Sequence, residues 1–122
     1  MAHVLVVDDD ADGRDLLARL LRALGHRPDE VAEGAVAIEH VMTDPPDLVF
    51  LDVMMPELDG FHVLETLRAE PATARVPVVM YTAYASPDGQ EAAVRLGAQG
   101  YLIKGIATAA DIEATVDRLA PA

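Results

Sequence analysis

The chain has 122 residues, and 21 Asp and Glu against 9 Lys and Arg give it a formal net charge of -12. This length predicts one domain, and the negative charge argues against direct binding to nucleic acid or anionic lipid. The absence of cysteine excludes disulfide scaffolds, thiolate zinc sites and cysteine nucleophiles. The N-terminus lacks the basic segment of a signal peptide, and no apolar run is long enough to span a membrane, so we expect a soluble cytoplasmic protein.

Strand and helix patterns alternate five times along the chain. Short apolar runs typical of central, buried parallel strands cover residues 4–7, 48–51, 78–81 and 101–103. Helical apolar spacing covers residues 16–24, 35–42, 60–69, 87–96 and 109–119, with Asp10 or Asp12, Asp59 and Thr108 as candidate caps. Segment 26–32 is a poorer strand because Pro28 cannot donate to a ladder, so we place it at a sheet edge.

This alternation predicts an α/β fold with a parallel sheet covered by helices on both faces. The flavodoxin-like, doubly wound strand order 2-1-3-4-5 puts the poor second strand at an edge, as its composition requires. We expect one (βα)5 domain over residues 1–122, with no internal repeat beyond the βα unit and no linker.

Polar residues suited to metal or phosphoryl chemistry end the predicted central strands. The first strand runs into Asp8, Asp9 and Asp10, and the later ones run into Asp52, Thr82 and Lys104. The carboxyl ends of parallel strands share one crevice, so these side chains should meet there. Three carboxylates would repel one another unless a hard cation such as Mg²⁺ neutralised them. A carboxylate beside Mg²⁺, with a hydroxyl and the chain's only lysine nearby, could attack phosphorus and form an aspartyl phosphate.

Four segments together resemble the CheY-like receiver domain of bacterial two-component response regulators. They are residues 4–9 (VLVVDD), 51–56 (LDVMMP) with Asp59 and Gly60, 81–83 (YTA) and 101–104 (YLIK). The resemblance implies the following roles: Asp52 as phosphoacceptor; Asp8, Asp9, Asp52 and the Met54 carbonyl as Mg²⁺ ligands; Thr82, Ala83 and Lys104 as phosphoryl contacts; and Thr82 and Tyr101 as switch residues.

The same resemblance implies a signalling switch rather than a conventional enzyme, because such a domain catalyses only its own phosphorylation and dephosphorylation. The implied donor is a sensor histidine kinase or a histidine phosphotransfer protein, and the output is an unidentified protein or domain. A homodimer through helix 4, strand 5 and helix 5 is one such output. Asp8, Asp9, Asp52 and Lys104 then carry a local net charge of -2. The remaining negative charge lies on the solvated surface, where it would suit a partner with a basic binding face.

Simpler interpretations exist for the individual residues. Asp8 to Asp10 would also serve as turn or cap carboxylates, Thr82 as an ordinary strand residue and Met54 as a loop filler. The four histidines, at positions 3, 26, 40 and 62, lack metal-ligand spacing and are interpreted as structural or surface residues.

Two functional alternatives remain. One is a phosphatase of the haloacid-dehalogenase type with Asp8 or Asp10 as nucleophile, although the chain lacks a cap domain. The other is a pseudo-receiver that acts only as a binding surface.

Two features depart from the family pattern. The family usually has proline, in a cis peptide, directly after the last-strand lysine, whereas this chain has Gly105. We therefore predict a trans Lys104–Gly105 peptide and a more mobile loop that slows phosphoryl transfer. Met54 and Tyr84 are both large, and we expect them to shield the phosphoryl group from water.

Overall fold

The computed structural model describes residues 1–121 and contains five strands alternating with five helices. The predicted domain boundary at Ala122 lies outside the described residues. The elements are β1 (His3–Val7), α1 (Ala11–Ala23), β2 (Arg27–Val31), α2 (Gly34–Thr43), β3 (Leu48–Leu51), α3 (Gly60–Ala69), β4 (Val78–Thr82), α4 (Pro87–Arg95), β5 (Gly100–Ile103) and α5 (Ala109–Leu119). Each predicted segment corresponds to one of these elements.

The strands form one parallel sheet in the order β2-β1-β3-β4-β5, which confirms the predicted topology. The poor strand β2 lies at one edge, where Pro28 is in register with Val4. The interpretation of residues 101–103 as a central, fully buried strand is wrong. All four residues of β5 are half-buried because β5 forms the other edge and has only β4 as a neighbour.

Alternation along the strands divides the core between the two faces of the sheet. Leu5 and Val7 of β1 pack on one face with apolar residues of α2, α3 and α4. Val4 and Val6 pack on the other face with apolar residues of α1 and α5. Burial of each such side chain contributes roughly 1.5–3 kcal/mol. The three central strands are therefore held rigidly, and the loops at their carboxyl ends start from fixed positions.

The helix starts show which predicted caps form. Asp59 accepts a hydrogen bond from the His62 N–H at 3.0 Å, and Thr108 forms a capping box with Asp111. Asp10 occupies the N-cap position of α1, as predicted, but its carboxylate makes no capping hydrogen bond. The Asp10 N–H instead donates to Oδ1 of Asp8 at 2.9 Å, so this turn is organised by Asp8.

Gly60 places the start of α3 directly against the loop that follows β3. A Cβ atom at this position would lie 2.1 Å from the carbonyl oxygen of Asp52, a contact that no side chain tolerates. The Gly60 N–H also donates to the Val53 carbonyl at 2.9 Å. Only glycine therefore permits this close approach of α3 to the loop after β3. Within residues 1–121, no helix combines the length and the apolar character that crossing a bilayer requires.

Candidate functional site

Backbone hydrogen bonds position the residues that follow three of the strands. The Asp8 N–H donates to Val31 O at 3.0 Å, and the Asp52 N–H donates to Val7 O at 3.0 Å. On the other side of the crevice, the Lys104 N–H donates to Thr82 O at 2.8 Å. The sheet ladder thus continues one residue past each strand, which fixes the Cα atoms from which the polar side chains project.

Lys104 connects the two buried carboxylates of the site. Its Nζ donates to Oδ2 of Asp8 at 2.5 Å and to Oδ2 of Asp52 at 3.1 Å. Asp8 is 3% exposed and Asp52 is 6% exposed, whereas Asp9 is exposed to solvent. Carboxylate oxygens of all three aspartates lie within 4.8 Å of one another. Four of the residues singled out in the sequence therefore meet at one point.

Asp8 and Asp52 are held in the same way. Oδ1 of Asp8 accepts from the N–H of Asp10, and Oδ1 of Asp52 accepts from the N–H of Met54 at 3.2 Å. In both cases the donor lies two residues further along the chain, which is the geometry of an Asx turn. One oxygen of each carboxylate is therefore fixed by the backbone, and the other faces Lys104.

The charges of this cluster do not balance. Burial raises the pKa of Asp8, and the nearby Asp52 charge adds to the increase, while hydrogen bonds from Lys104 and Asp10 oppose it. Burial by itself would lower the pKa of Lys104, but its hydrogen bonds to Asp8 and Asp52 and their charges raise it above the ordinary value. Lys104 thus stays an ammonium at neutral pH, and the excess of carboxylates favours a further cation.

Thr82 and Tyr101, the expected switch residues, both bind Tyr84 rather than the carboxylates. Thr82 is the last residue of β4 and fully buried, and its Oγ1 accepts from the Tyr84 N–H at 3.1 Å. The Tyr101 hydroxyl donates to the Tyr84 carbonyl at 2.6 Å. Ala83 lies exposed in the loop between Thr82 and Tyr84. The Thr82–Tyr84 bond joins residues two apart, but the sequence offered no local signal for the Tyr101–Tyr84 bond, because that bond depends on the pairing of β4 with β5.

Gly89 makes the position of the Tyr84 ring possible. A Cβ atom at Gly89 would lie 2.6 Å from Cε2 of Tyr84 and 3.3 Å from the Tyr101 hydroxyl. Sequence analysis did not single out this residue. A glycine inside a helical pattern was the available signal, because such a glycine is unfavourable unless packing requires it.

The two departures from the family pattern have structural counterparts. Residues 1–121 contain no cis peptide bond, so the predicted trans Lys104–Gly105 peptide is confirmed. Gly105 has φ = 85°, which proline cannot adopt because its ring holds φ near -65°. Met54 and Tyr84 are 62% and 38% exposed. Their shielding role stays a prediction.

Comparison with known proteins gives a consistent result. The model of the response regulator receiver domain family matches residues 4–117. The chain is 38% identical to a gliding motility regulatory protein of Myxococcus xanthus over 96% of this chain, which spans only 15% of that protein. It is 37% identical to an uncharacterized 14.6 kDa protein of Leptolyngbya boryana, covering 84% of this chain and 79% of the relative.

Solved structures agree with these relatives. Chemotaxis protein CheY4 of Vibrio cholerae superimposes with a TM-score of 0.89 at 28% identity, covering 98% of each chain. The receiver domain of a sensor histidine kinase from Pseudomonas aeruginosa, solved with a magnesium ion in its active site cleft, gives a TM-score of 0.88 at 28% identity, covering 97% of this chain and 96% of that one. This chain belongs to the response regulator receiver domain family of two-component signalling systems.

Proposed function

We propose that Asp52 accepts a phosphoryl group from a phosphohistidine of a sensor histidine kinase or a histidine phosphotransfer protein. The contact of Lys104 with both Asp8 and Asp52 carries this proposal, because it joins a nucleophile, a second carboxylate and a fixed cation in one buried cluster. Such a cluster supplies the positioning and charge stabilisation on which phosphoryl transfer depends. The receiver domain is proposed to cover residues 1–122.

The donor set fits Mg²⁺. Asp8, Asp9 and Asp52 offer carboxylate oxygens within 4.8 Å of one another, and Mg²⁺ is a hard cation that prefers such ligands. With the Met54 carbonyl, these residues would hold the ion. Bound there, Mg²⁺ would neutralise charge on the phosphoryl oxygens. The magnesium-containing cleft of the Pseudomonas aeruginosa receiver domain supports this assignment.

The transfer step replaces a P–N bond with a P–O bond. A carboxylate oxygen of Asp52 attacks phosphorus, a P–O bond forms, and the P–N bond to the imidazole breaks. The imidazole leaves with the electron pair and takes a proton from solvent. Lys104 already contacts Asp52, so its ammonium can pair with a phosphoryl oxygen as charge develops. The Thr82 hydroxyl and the backbone at Ala83 would supply further contacts.

The proposed switch depends on the shared bonds of Tyr84. When the Thr82 hydroxyl turns to the phosphoryl group, the Tyr84 N–H loses its acceptor. The Tyr101 hydroxyl holds the same loop through the Tyr84 carbonyl, so Tyr101 would become free to turn inward. The face formed by α4, β5 and α5 then changes its preference for a partner, including a second copy of the chain.

Asp52→Asn tests the phosphoacceptor directly. The wild-type chain should gain the mass of one phosphoryl group when incubated with acetyl phosphate and Mg²⁺, and Asp52→Asn should gain none. Asp10→Asn is the control, because the exposed Asp10 carboxylate lies outside the cluster. A phosphatase using Asp8 or Asp10 would instead retain turnover in Asp52→Asn, and a pseudo-receiver would show no modification even in the wild type.

The dimer is tested separately by the mass of the chain in solution. Beryllofluoride with Mg²⁺ mimics the phosphoryl group and should double the mass of the wild-type chain while leaving Asp52→Asn a monomer. An unchanged wild-type mass would assign the output to a different protein.

A further inference from the structure

A second cluster of possible metal ligands lies at the other end of β1 from Asp8. His3 begins β1 and Asp29 lies within β2, and both belong to the sheet face that α2 covers. His40 lies in the last turn of α2, and Asp44 follows at its C-cap. Because five residues of extended chain separate His3 from Asp8, this cluster is roughly 16 Å from the proposed phosphorylation site.

The distances bring His3, Asp29 and Asp44 to a common point, and His40 lies next to Asp29. His3 Nε2 lies 2.6 Å from Oδ2 of Asp29. His40 Nε2 lies 3.4 Å from that same oxygen. A ring nitrogen of His3 and carboxylate oxygens of Asp29 and Asp44 all lie within 4.8 Å of one another. His40 and Asp44 are four residues apart, so they project from the same side of the helix end.

The cluster is not fully satisfied by its own hydrogen bonds. His40 Nδ1 is buried and has no hydrogen-bond partner among the described residues, and Nε2 of the same ring is the nitrogen that faces Asp29. Asp47 adds a third carboxylate close by, because its Oδ2 accepts from the backbone N–H of His3 at 2.8 Å. The C-terminal end of α2 also carries the negative end of the helix dipole. The carboxylates and the end of α2 favour an added cation.

We propose that His3, Asp29, His40 and Asp44 bind one divalent transition-metal ion of the Zn²⁺ class. Two imidazoles and two carboxylates supply four donors, the number that Zn²⁺ takes in tetrahedral sites, and imidazole favours Zn²⁺ over Mg²⁺. Two carboxylates match the charge of a divalent ion. In such a site neighbouring ligand atoms lie about 3.3 Å apart, so His3 and Asp29 need to separate by less than 1 Å.

A bound ion would crosslink three elements of the fold. The ion would join β1, the edge strand β2 and the end of α2, and it would replace the hydrogen bond between His3 and Asp29. The site is independent of the proposed phosphorylation chemistry, because none of its ligands belongs to the Lys104 cluster.

The test uses Zn²⁺ titration calorimetry together with the visible absorption of Co²⁺, which distinguishes tetrahedral from octahedral coordination. Both are performed in an Asp9→Asn/Asp52→Asn background so that the other cluster does not compete. We expect one equivalent of Zn²⁺ and a tetrahedral Co²⁺ spectrum. Asp44→Asn and His40→Ala should each lower the Zn²⁺ affinity by at least about tenfold, because even the loss of an outer-shell partner has an effect of that size.

His62→Ala is the matched control. His62 and Asp59 form another histidine–aspartate pair, 3.0 Å apart, but within residues 1–121 no third His or carboxylate ligand joins them. Its substitution should leave the Zn²⁺ affinity unchanged. Asp44 is exposed, so Asp44→Asn should fold, and circular dichroism of the metal-free variant checks this.

Equal Zn²⁺ affinity in wild type, Asp44→Asn and His40→Ala would overturn the proposal, as would an octahedral Co²⁺ spectrum. The cluster would then be a hydrogen-bonded histidine–aspartate group only. As a second readout, Zn²⁺ should shift the ring resonances of His3 and His40 but not those of His26 and His62. Shifts at His26 or His62 alone would also contradict the assignment.

Discussion

Nζ of Lys104 lies 2.5 Å from Oδ2 of Asp8, although 96 residues separate them in the chain. The contact exists because β1, β3, β4 and β5 belong to one parallel sheet, in which β3 and β4 lie between β1 and β5. The carboxyl ends of all four strands therefore point in the same direction. A long side chain from the outer strand therefore crosses the crevice. The only lysine of the chain is the cation of the proposed site.

Lys104→Met should slow phosphorylation by acetyl phosphate about 100-fold at saturating Mg²⁺, because removal of one preorganised charge-stabilising donor has an effect of this size. The rate is measured as the growth of the phosphorylated mass with time. Lys104→Arg keeps the charge in a wider, planar group and should be intermediate. A rate for Lys104→Met within threefold of the wild type would contradict the assigned role of Lys104.

Asp8→Asn should stabilise the protein in the absence of Mg²⁺. Burial raises the pKa of Asp8, so its ionised form is disfavoured in the folded chain, whereas asparagine keeps the Oδ1 acceptor for the Asp10 N–H. We expect a gain of about 1 kcal/mol, or about 4 °C in Tm, in thermal unfolding with a chelator present. Added Mg²⁺ should stabilise the wild type more than the variant. A lower Tm for Asp8→Asn in the chelator would refute this.

Gly105 and Gly25 form a matched pair for testing the loop after β5. Both have positive φ, 85° and 90°, and a Cβ atom at either would meet nothing within 4 Å. Alanine at either position should lower the free energy of unfolding, measured with urea, by about 1–2 kcal/mol, because a residue with a Cβ atom is strained in the left-handed backbone conformation. Gly105→Pro should lower it further and also slow phosphorylation. Wild-type stability in Gly105→Pro would show that this loop readily adopts another conformation.

Gly89→Ala should displace the Tyr84 ring and crowd the Tyr101 hydroxyl. Alanine ordinarily favours a helix over glycine by about 1 kcal/mol, but the contact with Tyr84 should turn this gain into a loss of about 1–3 kcal/mol. Gly13→Ala in α1 is the control, because its nearest contact is the end of the Asp10 side chain at 3.1 Å. Urea unfolding measures both variants. Equal stability changes would mean that Gly89 is not required by Tyr84.

Asp59 gives a test of pH dependence. Burial tends to raise its pKa, but hydrogen bonds from the His62 backbone and ring lower it on balance below the ordinary 3.8. The folded state therefore favours the carboxylate, and the resulting stability is present above about pH 4 and is lost as the pH falls through the lowered pKa. Asp59→Ala should lower the free energy of unfolding by about 1 kcal/mol at pH 7.

Asp59→Asn, which can still cap α3, should stay close to the wild type at pH 7. The difference between the wild type and Asp59→Ala should shrink when urea unfolding is repeated near pH 3. If the difference in the free energy of unfolding grew on acidification, the pKa of Asp59 would be raised in the folded state rather than lowered.

The sequence by itself determined the alternation of strands and helices, the strand order and the residues at the strand ends. Apolar runs such as 48–51 and the proline in β2 are local signals, and parallel connections force the carboxyl ends of β1, β3, β4 and β5 to one edge. The meeting of Asp8, Asp52 and Lys104 follows from that geometry. The trans peptide at Gly105 was also predictable, because a cis bond is unfavourable without proline.

Only the tertiary structure decided which polar groups pair beyond the strand ends. The bond from Tyr101 to Tyr84 depends on the register of β4 and β5, which no short-range pattern encodes. His3 and His40 carry no metal-ligand spacing, yet packing of α2 on β1 and β2 brings both to Asp29. Local periodicity fixes which face a residue occupies, whereas contacts between distant side chains depend on how the elements pack.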